Sequence, residues 1–313
     1  MIGNERPSGK GTVSVAQADV TGDDSGVRGT SLRTAALLVF RQNRLALAGL
    51  VIVLGFVLFC FLGPVFYHTN QIATNVALAN RPPSLKHLLG TDSVGYDELG
   101  RLMVGGRITL LVALAVAVLA TSIGMIWGCV AGVSRSGVDS LMMRIVDAAL
   151  AIPGIFLLIF LNSILKPSVF VLIFVITALA WLVPSRLVRA EVLSLRERPF
   201  VEASRAAGAN GARIVIRHLV PNVFGTVVVN ATFQVADAVL TVAALSFLGL
   251  GIPPPAANWG SMLANGVNYT FAGYWWQIWP AGLCIVAVVV GFNFIGEGFR
   301  DAIDVRLRTG SSR

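Results

Sequence analysis

The sequence is poor in charge, histidine and cysteine: 13% of its 313 residues are Asp, Glu, Lys or Arg, with three histidines and three cysteines. So little charge, set against 55% hydrophobic residues and a mean hydropathy of +0.76, excludes a water-soluble enzyme and points to a bilayer. Cys60, Cys129 and Cys284 each sit inside a long apolar run. That placement excludes a disulfide framework and a zinc site of normal spacing, and leaves the three as packing residues. His68, His87 and His218 are scattered outside the apolar runs, and no HExxH pair exists, so an intramembrane metalloenzyme lacks its ligands. Gly3 to Lys10 superficially resembles a phosphate loop, but five residues separate Gly3 from Gly9, and Gly11 stands where Ser or Thr is required. No nucleotide site, catalytic residue, metal site or cofactor site is expected in this chain.

What is present is apolar length. A hydrocarbon core about 30 Å thick takes about 20 helical residues. Six stretches meet or approach that length: 45–66, 108–133, 148–165, 169–185, 224–250 and 277–296. The expectation is an all-α integral membrane protein of six transmembrane helices. Lys166-Pro167 is expected to make a tight hairpin between the short third and fourth spans. Segments 67–107 and 251–276 then lie on one side of the membrane, and a long loop, 186–222, lies on the other. Lys and Arg decide which side is which. With the N-terminus in the cytoplasm, nineteen of the 24 fall inside and five outside, so both termini are expected to be cytoplasmic. The net charge of +8 is thereby a matter of orientation, and no nucleic-acid partner is expected. Residues 1–31, rich in Gly, Ser, Asp and Thr, read as a disordered cytoplasmic tail, and 309–313 as a short one. Arg41 and Arg44 precede a run of 22 residues, long enough to stay in the membrane rather than be cleaved as a signal.

Within this frame a few residues stand out. Gly124, Gly128 and Gly132 recur every fourth residue, which places them on one helix face where a second backbone can approach; close packing is the first reading and sliding during gating the second. Asp147, near Arg144, is expected to form an ion pair at the membrane surface. Asp237 falls mid-span, where a charge costs about 3 kcal/mol or more, so it either lines a pathway or is buried and hydrogen-bonded as a structural carboxyl. Segment 251–276 holds no charge but has Trp259, Trp275 and Trp276. Trp275 and Trp276 read as headgroup anchors, and Trp259, beside a Pro-rich turn, as part of a re-entrant or lid-like outer gate. In the long loop, 202–207 is a run of helix formers closed by Gly208, followed by an amphipathic stretch 212–219 and Pro221. Two short surface helices are expected, which either hold anionic lipid through their arginines or dock a cytoplasmic partner.

That loop carries a specific resemblance. Glu202-Ala203-Ser204-Arg205-Ala206-Ala207-Gly208-Ala209, followed by Ile214 and His218-Leu219-Val220-Pro221-Asn222, resembles the EAA loop of bacterial ABC-importer permeases, with Ser204 in place of the usual second alanine. Leu89-Gly90-Thr91-Asp92 with Gly95, Asp97, Arg101, Gly106 and Arg107 resembles a segment of the C-type subunit of the dipeptide and oligopeptide permeases. So do Ser246 to Gly251 with Pro254, Pro255 and Trp259-Gly260, and Phe292 to Glu297 with Arg300-Asp301-Ala302. The resemblance covers about residues 32–308; Tyr96, Glu297 and Val305 depart from it, and Val242 stands where many relatives have an acid.

The resemblance implies a type I importer permease in the bacterial inner membrane, a heterodimer with a homologous permease. It implies two cytoplasmic ABC ATPase subunits that bind ATP and Mg, a separate extracytoplasmic substrate-binding protein, and alternating access. Glu202, Ala203, Arg205, Gly208 and Pro221 would then be the ATPase-coupling loop, with Asp237 and Trp259 as pathway or gate candidates. The cargo is a dipeptide or oligopeptide, a nickel complex or another small solute of the same family. An ion-coupled secondary transporter is the competing class; it wants internal repeats and several midplane ion-binding groups, whereas the chain shows no persuasive repeat and one central acid.

Overall fold

The computed structural model describes the backbone of residues 43–310 and the side chains of residues 43–303; the expected tail 1–31 and residues 311–313 lie outside them. Among the described residues the regular structure is helical, apart from one isolated bridge between Thr91 and Asp97, and irregular segments join the helices. Helix α1 is Arg44–Phe66 and α2 is Glu98–Val133. Then come α3 (Ser136–Leu150), α4 (Gly154–Ile164), α5 (Val169–Ala180), α6 (Leu182–Leu195) and α7 (Pro199–Ala206). A short turn α8 (Gly211–Ile214) leads into α9 (Val220–Phe247), followed by α10 (Trp259–Val267) and α11 (Trp279–Gly310).

The starts of these helices are written locally. Asn43 accepts hydrogen bonds from the backbone N–H groups of Leu45 and Ala46 and donates to Asp301 Oδ2 at 2.9 Å, tying the start of α1 to α11. Asp97 caps α2 through Gly100 N at 2.8 Å, and Ser168, just past Lys166-Pro167, caps α5. Four helical stretches are long and apolar enough to cross a membrane, 44–66, 98–133, 211–247 and 275–303, and two bent pairs bring the number to as many as six. At 36 residues, α2 runs about 54 Å, well beyond the hydrocarbon thickness, so it begins in a lobe outside the membrane.

The bent pairs correct two sequence expectations. The run 148–165 is not one helix: α3 ends at Leu150, Pro153 intervenes, and α4 leaves at 80° to α3. Proline removes a backbone donor and drives the preceding residue out of the helical region, which outweighs the apolar continuity of the run. The run 169–185 likewise extends to Leu195 as α5 plus α6, bent by 40° at Trp181, so the long loop starts about ten residues later than the charges suggest.

Helix α2 is the hub. It packs against α1, α5, α6 and α9, while α11 packs against α1 and α9. The main core lies along this hub: Val112, Val116, Leu172, Val175, Val239, Val242, Leu245 and Val288 are fully buried. A second cluster sits at the far end of α2, where Cys129, Val188 and Val192 meet Val201 of α7 and Ile214, Leu219 and Val223 around the start of α9. The α2–α6 seam has glycines on one side. A Cβ on Gly124, Gly128 or Gly132 would come within 2.5–2.6 Å of Pro184, Ser185 or Val192, so these backbones meet only because the side chain is absent.

Candidate functional site

The candidate coupling element is α7. Pro199 opens it at N1, where its missing N–H costs nothing, so the helix begins three residues before the Glu202 run. Val201 points into the second core cluster and is fully buried, whereas Glu202, Ala203 and Arg205 are exposed. Gly208 ends the helix with φ +81°, while Gly208 N donates to Arg205 O and Ala209 N to Ser204 O, the latter at 3.0 Å. A Cβ there would meet nothing within 4 Å. Backbone conformation alone therefore calls for glycine at this position.

Asn210 then caps the next helix through Arg213 N at 2.9 Å. The amphipathic stretch 212–219 is not a separate surface helix as expected: α8, a π-helical segment Val215–Leu219 and α9 run on as one helix, 211–247. Pro221 explains the wide turn. A proline ring clashes with the carbonyl four residues earlier in a regular helix, and the wider π turn just before it relieves that contact. Two contacts brace α7 against this wide turn: Ser204 Oγ lies 3.1 Å from His218 Nε2, and the rings of Phe200 and His218 are 6.2 Å apart. In the sequence His218 stands out only as part of the loop motif, with no partner assigned to it. Its spacing of 14 residues from Ser204 carries no helical signal, since a turn intervenes.

Ion pairs hold the helices beneath. Arg189 of α6 grips Asp139 of α3 with two bonds, Nε–Oδ1 at 2.5 Å and Nη2–Oδ2 at 2.6 Å. The hydrogen bond from Arg189 holds the Asp139 carboxyl below the ordinary carboxylate range, against an opposing effect of burial. Asp147 pairs with Arg186 of α6, not with its neighbour Arg144 as expected, because the 40° bend brings α6 alongside α3. Glu191 of α6 accepts a hydrogen bond from Thr226 Oγ1 of α9 at 3.0 Å.

The pathway candidates fare differently. Asp237 is exposed on α9, and among the described residues no hydrogen bond or ion pair reaches its carboxylate. Its reading as a buried, hydrogen-bonded structural carboxyl is therefore set aside. Beside it, Gln234, Ala238 and Thr241 line a cavity of about 370 Å³ bounded by Pro153 at the α3–α4 break and by Ile176 of α5. Trp259 is fully buried. Its Nε1 donates to Leu102 O at 2.9 Å, its backbone N–H to Thr109 Oγ1 at 3.3 Å, and its ring meets Phe56 edge-on at 5.9 Å. It pins α10 to α2 and is closed off on all sides by the described residues, which corrects its placement as a gate. Trp276 is similarly buried, with Nε1 donating to Thr91 O at 3.1 Å, whereas Trp275 is 52% exposed as an interfacial anchor should be.

The motif around Leu89 to Arg107 builds the lobe at the start of α2. Besides capping that helix, Asp97 accepts from Tyr67 OH at 2.8 Å and lies 2.9 Å from His87 Nδ1. Burial, and secondarily the bond to Asp97, pushes the Tyr67 hydroxyl up to about 12. Asp92 accepts from Val94 N and Tyr96 N. Tyr96 is buried beneath the Arg101 guanidinium, 4.0 Å from ring centroid to Cζ, and donates to Ile72 O at 3.0 Å.

A membrane-spanning helical bundle with a short glycine-ended helix at one end is the build of a transport subunit. Residues 120–309 match the family described as the inner membrane component of binding-protein-dependent transport systems, and the chain belongs to that family. Residues 31–83 match the N-terminal transmembrane domain of oligopeptide transport permease C, which places the chain with the C-type subunits. The chain is 39% identical over 279 residues to the oligopeptide transport system permease protein OppC of Bacillus subtilis, covering 89% of this chain and 91% of the relative. It is 43% identical over 273 residues to a Brucella suis protein named as a peptide permease, covering 85% and 89%. A second Brucella suis protein, named as a peptide transport system permease, is 40% identical over 260 residues, covering 83% and 87%. The family and the apolar helices make this a multi-pass protein of the bacterial inner membrane.

Proposed function

We propose that the chain forms one half of the pathway of an ATP-driven peptide importer, with six spans, both termini in the cytoplasm and the Leu89–Arg107 lobe outside. The cargo assignment is supported by relatives at 39–43% identity that are named as peptide permeases. The chain itself binds no nucleotide and catalyses no reaction. A homologous permease completes the pathway, two cytoplasmic ATPase subunits bind ATP and Mg, and a separate binding protein delivers the peptide from outside.

The observation that carries the mechanism is the build of α7: exposed Glu202, Ala203 and Arg205 on a helix whose other face is anchored by Val201 and by Ser204 to His218. A partner that moves this helix also moves α9, since His218 lies in the helix that continues to Phe247. Closure of the two ATPases on ATP would thus rock α9 and the hub between inward and outward access, a shift between two packed arrangements. Asp237, exposed and unpaired mid-helix, would face the aqueous path.

The test is purification of the intact complex, identification of its bound ligand, and ATP-dependent uptake in liposomes. Peptide co-purifying with the binding protein and entering only with ATP is the expected result. Uptake driven by an ion gradient without ATP would replace this reading with a secondary transporter, and a bound metal complex would replace the cargo. Cysteine accessibility at position 208 and at the fully exposed position 271, in a background lacking the three native cysteines, checks the orientation; labelling of position 271 only from the cytoplasm would overturn it.

A further inference from the structure

Two adjoining recesses open at the lobe end of the bundle, and Arg101 lines both. One, of about 280 Å³, lies between the α4–α5 connection, the end of α9 and α10, and its walls include Arg101, Pro167, Ser246, Gly251, Ser261 and Asn265. The other, also about 280 Å³, is bounded by Gln71, Arg101, Ile108 and Pro255. Arg101 is only 6% exposed. Its Nε edge is taken by Asp92, Nε–Oδ2 at 3.5 Å, and one face of its guanidinium by the Tyr96 ring. Its Nη1 is buried and has no hydrogen-bond partner; Ser246, 2% exposed, likewise has an unpartnered Oγ.

Orphaned buried donors are rare because each forfeits its hydration without return, and a cationic one forfeits most. Two of them belong to residues that wall one recess, one of them a guanidinium, and neither atom has surface open to it; turned into the recess, the pair calls for an acceptor that is anionic and small. The nearby acids do not supply it. Asp92 is committed to Arg101 Nε and two backbone N–H groups, Asp97 to Gly100, Tyr67 and His87, and neither these nor the buried Glu98 line the recess. A guanidinium edge matches the two oxygens of a carboxylate, and a hydroxyl adds a third bond.

We propose that this recess is an entry subsite for the C-terminal carboxylate of the peptide cargo, received by Arg101 Nη1 and Ser246 Oγ as these two side chains rotate into it. The inference rests on the peptide-import reading. Its volume sits at the low end of small-molecule sites, suited to a terminal residue and not to a whole oligopeptide. The wall from Gly249 to Pro254 is mostly backbone and proline, so it leaves little to discriminate side chains. Recognition of the one group that every linear peptide carries is what a sequence-tolerant importer needs.

The test uses the reconstituted complex with its binding protein and ATPases in liposomes, and compares uptake of tri-alanine with that of tri-alanine amide. The binding protein's own preference is common to all variants, so a change in the ratio of the two rates reports on the permease. The ratio should fall by about tenfold in Arg101→Lys, where the planar edge is lost, and by severalfold in Ser246→Ala, which removes one hydroxyl from a small residue and spares the fold. Co-purification of the ATPases shows that each variant assembles. An unchanged ratio in assembled Ser246→Ala overturns the proposal. If the ratio holds but liganded binding protein docks more weakly on the variants, the recess receives an acidic side chain of that protein, and the proposal is likewise wrong. Absence of ATP-driven tri-alanine uptake by the wild type would instead refute the peptide-import reading.

Discussion

Replacing Gly208 isolates the coupling assignment, because the structure separates its conformational role from any packing role. At φ +81°, with nothing within 4 Å of an added Cβ, the cost of a side chain comes from the backbone alone. An ordinary residue in the left-handed region costs about 1–2 kcal/mol, and a β-branched one more, whereas Asn tolerates it. Such a penalty shifts a local equilibrium by a factor of about 5–30. The fold should survive, since the second core cluster does not involve residue 208. Gly208→Val should therefore insert normally but present a frayed or lengthened α7, lowering ATP-dependent uptake by about that factor and weakening ATPase co-purification. Gly208→Asn should retain most of both, and the contrast separates conformation from mere change of residue. Full transport and normal ATPase binding by Gly208→Val would refute the coupling role. Losses that track the content of anionic lipid would assign the helix to the membrane surface instead.

Trp259→Phe keeps most of the ring's packing and removes one hydrogen bond to Leu102 O, which retains its helical partner, so it should lower thermal stability by about 0.5–1.5 kcal/mol with uptake per folded complex unchanged; altered uptake at wild-type stability would restore the gate reading. Asp237→Asn should assemble normally and change uptake, while loss of folding would show that the carboxylate is structural after all. For Asp139, the native carboxyl lies below its ordinary value, so the stability it lends is complete at neutral pH and is lost as pH falls through the lowered native value. The thermal-stability gap between wild type and Asp139→Asn should accordingly stay constant from neutrality to about pH 4 and narrow only below it. A gap that closes well above pH 5 would show that Arg189 does not hold Asp139 in this way.

Much of this protein is legible one segment at a time. Apolar runs longer than the bilayer is thick, the Asn43, Asp97 and Ser168 caps, and the Gly208 stop each depend on residues a few positions apart. Local chemistry settles such features before any tertiary contact forms. Hydropathy even favours a helix through 148–165, and only the single residue Pro153 argues against it; the 80° angle of the break is nowhere in the pattern, because packing against α2 and α6 sets it.

Partners across the bundle were a different matter. Charge counting attached Asp147 to Arg144, three residues away in sequence, yet Arg186, 39 residues away, takes the carboxylate. Aromatic content placed Trp276 at an interface and Trp259 in an outer gate, and tertiary contacts with Thr91 and Leu102 buried both indoles instead. The glycine repeat 124–128–132 announced that some backbone comes close, but that the backbone belongs to α6 was decided by the fold. What the sequence determined by itself was the number and reach of its apolar segments, the family motifs and the places where helices must stop, since these follow from hydration and backbone conformation residue by residue. Only the tertiary structure decided which polar group answers which and that Arg101 and Ser246 share a recess, because such pairings depend on distances between helices that no local periodicity encodes.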